Sequence, residues 1–171
     1  MKKKILIFGG TGLFGINFLS NFNKDFEIIV NYNSKKFFHP NLKYIKVNLN
    51  KYNDILTSIN QVKPDIIINA CAKTNIDWCD ANPKSSYAIN VSLAEKLAII
   101  SNIKGIYFVQ ISSDHLFSGK VKFKTEKHNK NPLNAYAKQK SEAEDLVIKN
   151  NKSALVIRTN FFGYSQDKKN N

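Results

Sequence analysis

Short apolar runs of strand length alternate along the chain with segments whose apolar residues recur every three or four positions. Residues 4–8, 26–31, 43–47, 65–69, 105–111 and 154–158 read as strands, and 13–22, 53–62, 84–102 and 135–149 as amphipathic helices. Ile66-Ile67-Ile68 and Ile106-Tyr107-Phe108-Val109 are apolar on both faces, the pattern of strands covered on each side by helices in a parallel sheet. Residues 32–42 are too short a connection to hold a proper helix. The alternation predicts an α/β fold with a doubly wound parallel sheet of six strands in the order 3-2-1-4-5-6. Residues 1–164 form this one domain, residues 165–171 a polar tail that frays, and a second, C-terminal substrate domain is absent from this sequence.

The glycines sharpen the picture. Gly9, Gly10, Gly12 and Gly15 fall between the first strand and the first helix, in Gly9-Gly10-Thr11-Gly12-Leu13-Phe14-Gly15. A turn without Cβ atoms lets a pyrophosphate approach the backbone, and the helix N-terminus then offers it free N–H groups and a partial positive charge. A small residue at Gly15 lets helix and strand pack closely. In this context the motif predicts a Rossmann-like dinucleotide site. An acidic residue about 20 positions further on holds the ribose of NAD, whereas a basic one accommodates the extra phosphate of NADP. The second strand here runs into Asn31-Tyr32-Asn33-Ser34-Lys35-Lys36, with no carboxylate. NADP(H) is therefore the expected cofactor, with Lys35 or Lys36 near its phosphate, and NAD(H) is the alternative.

Charge changes this reading little. The 171 residues carry a formal net charge of +13, which invites a nucleic-acid partner. Arg158 is the only arginine, however, and the lysines are scattered rather than gathered in a stripe. Nucleic acid is not expected as a partner, and neither is a membrane, because no apolar run approaches a spanning length. The apolar run after Met1-Lys2-Lys3-Lys4 stops at Gly9, short of a signal sequence. Cys71 and Cys79 form no CxxC, and His39, His115 and His128 lie far apart, so no metal site is expected. Reduced thiols and a cytoplasmic location fit this composition.

Three Tyr-x-x-x-Lys matches occur: Tyr32/Lys36, Tyr136/Lys140 and Tyr164/Lys168. Only Tyr136 opens a well-patterned helix, where residues at i and i+4 share a face. A lysine ammonium nearby is expected to lower the phenol's pKa towards the working range, making Tyr136 a usable acid for a carbonyl that receives hydride. Ser113, just past the fifth strand, is the candidate for a second hydroxyl that hydrogen-bonds the developing oxyanion.

Five blocks in this order carry a resemblance: Gly9–Gly15, residues 68–72, residues 82–91, residues 111–119 and residues 136–140. The sequence resembles the extended short-chain dehydrogenase/reductases, and within them the dTDP-4-dehydrorhamnose reductases and their sugar-nucleotide-binding relatives. The resemblance implies that Gly12, Leu13 and Phe14 line the dinucleotide phosphates, that Asn48 and Leu49 adjoin the adenine, and that Ala70, Cys71 and Ala72 pass beside the cofactor. It also implies a catalytic set of Ser113, Tyr136 and Lys140, with Asn90 supporting the lysine through the helix backbone and water. Asn48 stands where relatives usually have aspartate. His115 stands where this group usually has tyrosine and superfamily dehydratases a glutamate, and it is expected to be packed or solvent-facing rather than an extra acid. The expected activity is reduction of a 4-keto nucleotide sugar in deoxysugar or surface-polysaccharide synthesis, with a homodimer as one option. The alternatives are an epimerase or dehydratase of the same superfamily, or a non-catalytic dinucleotide-binding module.

Overall fold

The computed structural model describes residues 2–32, 42–119 and 123–161. Six parallel strands form one sheet: β1 (Lys4–Phe8), β2 (Glu27–Tyr32), β3 (Lys43–Lys46), β4 (Ile66–Asn69), β5 (Tyr107–Ile111) and β6 (Leu155–Ile157). Their order is β3-β2-β1-β4-β5-β6, as the sequence pattern predicts. The register places Phe8 opposite Asn69 and Asn69 opposite Gln110, so the strands end together at one edge.

Strands so apolar on both faces need cover on both. Leu6, Phe8, Ile67 and Phe108 pack against α2 (Tyr52–Val62), α5 (Leu93–Lys104) and α6 (Ala135–Asn150). On the other face Ile5, Ile7, Val30 and Ile68 pack against Phe14, Phe18 and Leu19 of α1 (Leu13–Phe22). Among the described residues no helix is long and apolar enough to cross a membrane.

Two departures from the sequence reading matter for the site. A short helix α3 (Ile76–Ala81), capped by the Asn75 side chain on the Trp78 N–H, was not foreseen. The helix expected over 84–102 is interrupted: α4 (Pro83–Tyr87) leads into a π-helical turn, Ala88–Ser92, before α5 resumes the α-helical path. A π turn inserts an extra residue in one turn and re-aims the side chain there, here the buried Asn90.

Candidate active site

In a parallel sheet every strand delivers its C-terminal residues to the same edge, and the segments predicted to carry chemistry all leave from that edge. The turn after β1 is the tightest of them. Gly9 has φ of +82°, and a Cβ there would lie 2.6 Å from the Cys71 nitrogen, so β1 and the β4 end approach as only glycine allows. A Cβ on Gly15 would lie 2.2 Å from the Gly10 carbonyl oxygen, so α1 rests directly on the turn's backbone. Gly12 differs: a Cβ there meets nothing closer than the Gly9 oxygen at 3.4 Å, and Gly12 is exposed. It stands at the N-cap of α1 without a side chain to cap it, so the N–H groups of Leu13, Phe14 and Gly15 face the open edge without intrahelical acceptors. This donor set fits a pyrophosphate.

The loop is held from beneath by a residue the sequence reading missed. The buried Asn31, at the end of β2, accepts the Gly9 N–H at 2.8 Å through its side chain. A polar residue within an otherwise apolar strand was the available signal. Lys35 and Lys36 lie outside the described residues. Asn48 follows β3 in a turn in which its side chain accepts the Asn50 N–H, and Leu49 packs against the core beneath α2. Ala70, Cys71 and Ala72 extend from β4 as a partly buried strip beside the glycine turn, with the Ala70 N–H bonded to the Phe8 carbonyl at 2.8 Å.

On the other side of that strip the serine, tyrosine and lysine come together. Asn134 caps α6 by accepting the Ala137 N–H, and Asp80 of α3 accepts the Ala135 N–H, which fixes the helix start. Tyr136 sits in this first turn, buried beside Ser113. Ser113 follows β5 in extended conformation and caps the short 3-10 turn Asp114–Leu116 by accepting the His115 N–H. One turn into α6, Lys140 is 3% exposed and donates to the Ile111 carbonyl at 2.6 Å. Gln110 donates to the same carbonyl.

The electrostatics correct one expectation. Burial pushes the Tyr136 phenol above its ordinary value, against the Ser113 hydrogen bond, which pulls it down. Lys140 does not lower it, because the ammonium is turned onto the Ile111 carbonyl and is itself pushed down to about 8 by burial. The pair is a protonated phenol beside a destabilised ammonium, and the phenol stays a proton donor throughout the neutral range.

Asn90 is buried in the π turn. Its amide accepts the Lys73 N–H at 2.7 Å and donates to the Lys73 carbonyl and to the Gln139 side chain. It ties the chain after β4 to α6 beside Lys140 and touches the lysine through no direct bond. Gln139, which also reaches Ser86, was not foreseen, although it lies inside the Tyr136–Lys140 motif. His115 is exposed and sets its ring edge-on to Tyr136, with centroids 6.1 Å apart. Tyr32 ends β2 and packs edge-on to Tyr44, away from any helix, while Tyr164 and Lys168 lie outside the described residues.

The model of the family described as RmlD substrate binding domain matches residues 2–171. The chain is 31% identical over 156 residues to the bovine methionine adenosyltransferase 2 subunit beta, covering 91% of this chain and 46% of that protein. It is 27% identical over 124 residues to the dTDP-4-dehydrorhamnose reductase of Aggregatibacter actinomycetemcomitans, covering 70% of this chain and 41% of the enzyme. The crystal structure of dTDP-4-dehydrorhamnose reductase from Bacillus anthracis in complex with NADP shares the fold with a TM-score of 0.78 at 24% identity, covering 92% of this chain and 53% of that one. The chain thus spans about half the length of the relatives it matches. By the match along nearly its whole length, the chain belongs to the RmlD substrate-binding domain family.

Proposed function

We propose that this chain is the dinucleotide-binding half of an NADP(H)-dependent reductase that acts on a 4-keto nucleotide sugar. The observation that carries the reading is the buried Tyr136 beside Ser113, with Lys140 one turn away, next to a glycine turn whose helix N-terminus offers uncapped donors. The reductase relative and the NADP complex of the structural neighbour support the same assignment. The neighbour's other half is where a sugar-binding lobe is placed in this reading, and the cytoplasm is the compartment it fits.

The bound nicotinamide would supply hydride to the sugar's carbonyl carbon. Everything else falls to this chain. Leu13, Phe14 and Gly15 hold the phosphates through backbone N–H groups, and Gly12 leaves room for their approach. Tyr136 gives its proton to the carbonyl oxygen, and Ser113 donates a hydrogen bond to the same oxygen as charge develops there. Lys140 would hold the cofactor ribose with its ammonium. Asn90, through Lys73 and Gln139, fixes the β4 strip relative to α6.

NADPH oxidation with a panel of 4-keto nucleotide sugars tests this reading. The expected result is turnover when the chain is joined to a substrate-binding half, and bound cofactor without turnover for the 171 residues alone. Holding reactants in attack geometry contributes about 7–11 kcal/mol towards lowering a barrier, and this chain supplies the cofactor side of that geometry. A second reading, a non-catalytic dinucleotide-binding subunit, is favoured by the bovine relative, which bears a subunit's name. Absence of turnover in the joined protein, with cofactor bound, would replace the first reading with the second.

A further inference from the structure

The site depends on an ammonium kept where an ammonium is disfavoured. Lys140 is 3% exposed, and its Nζ contacts a carbonyl at 2.6 Å, while no carboxylate among the described residues lies within ion-pairing distance of it. Desolvation on this scale favours the neutral amine. Of the groups around it, the Tyr136 phenol stays protonated, and burial pushes the Cys71 thiol up to about 12, so neither supplies a negative charge at neutral pH. The remaining group is Glu144, four residues on along the same face of α6 and only 4% exposed.

Glu144 is an expensive residue to bury, and the structure fixes it with care. Arg158, leaving β6, grips the carboxylate in fork geometry, with Nε at 3.0 and 3.2 Å and Nη2 at 2.8 Å. The guanidinium lies over the Phe117 ring at 5.5 Å, and its Nη1 is buried without a partner. Lys130, the other cation facing the carboxylate, stands further off at 3.7 Å and is held mainly by Asp145 and the Ser141 carbonyl. Arg158 thus fixes the Glu144 carboxylate in place one turn from Lys140.

We propose that Glu144, clamped by Arg158, is the positioning residue that keeps Lys140 in use as an ammonium donor at the cofactor edge. The proposal rests on the reading of Tyr136 and Lys140 as the reductase pair. It predicts how Lys140 titrates whether or not sugar is turned over. Glu144 already acts in this direction, raising a lysine that burial lowers to about 8.

The test is the titration of Lys140 in the chain labelled with ¹³C at the lysine ε carbons, with the signal assigned from the Lys140→Met spectrum, alongside NADPH affinity across the same pH range. Glu144→Gln is expected to lower the Lys140 midpoint by about one pH unit, the size of effect that a nearby opposite charge exerts. Near pH 8 NADPH affinity then falls by about 5-fold, approaching about 10-fold at higher pH, and near pH 6 it returns to the wild-type value. Glu144→Asp restores most of the midpoint. Since Glu144→Gln strands Arg158, the double variant Glu144→Gln with Arg158→Gln separates the roles, because it removes the stranded charge and leaves amides to pair. The proposal requires a lowered midpoint in the double variant as well. A wild-type midpoint in the double variant would reduce Glu144 to a clamp between α6 and β6 and overturn the proposal. Failure of the wild-type chain to bind NADPH, with the midpoint moving as expected, would overturn the functional reading alone.

Discussion

Replacing Tyr136 by Phe in a protein that carries both halves is expected to lower reductase turnover by about 10²–10⁴-fold, the usual loss when a positioned acid is removed. NADPH affinity should change little. The phenol is buried beside Ser113, so the substitution removes one hydroxyl from a packed ring and leaves the helix, the Asn134 cap and Lys140 in place. Tyr32→Phe is the control: Tyr32 ends β2 against Tyr44 and opposite Lys46 of β3, three strands across the sheet from β5 and Ser113, so turnover should stay close to wild type. Steady-state rates with NADPH and the same sugar decide between them. Equal losses in both variants would mean that the proton comes from elsewhere.

The second large effect separates two glycines that the motif treats alike. Gly15→Ala places a Cβ 2.2–2.4 Å from the Gly10 backbone, which cannot move aside as a flexible side chain would. Overpacking of this kind typically costs about 1–3 kcal/mol, and a clash with backbone belongs at the upper end. Gly12→Ala meets nothing closer than 3.4 Å within the protein, and Gly12 has an ordinary φ of −88°. Its methyl group instead occupies the space through which a pyrophosphate reaches the α1 N-terminus. Thermal melts and NADPH titrations on both variants should show an unstable Gly15→Ala and a Gly12→Ala that melts normally yet binds NADPH at least about 10-fold more weakly, the loss of a little over 1 kcal/mol. A Gly12→Ala chain with unchanged affinity would remove the phosphates from that turn.

Both predictions lean on features that were readable before the fold was in hand, and the reasons differ. Strand order followed from apolar runs and their spacing, because a strand buried on both faces leaves few other sequences possible. Tyr136 could be chosen over Tyr32 because helical context is itself a pattern in sequence. What stayed hidden depends on distance in space. The resemblance names Asn90, but its partners Lys73 and Gln139 show only once the π turn aims it at them, and α3 is too short to show a period. The direction of the Tyr136 shift was missed because sequence spacing says nothing about burial or about the Ile111 carbonyl that accepts from the lysine. The Glu144–Arg158 pair joins α6 to β6 across 14 positions, and no local pattern announces it.

The cofactor edge is the part of the site most open to direct measurement. Calorimetric titration of NADPH and of NADH into the chain, at one temperature and ionic strength, measures it without any substrate half. The expected result is one NADPH bound per chain, more tightly than NADH, with the NADPH signal weakened by Gly12→Ala. Absence of NADPH binding would contradict the dinucleotide site, and tighter binding of NADH would contradict its assignment to NADP(H).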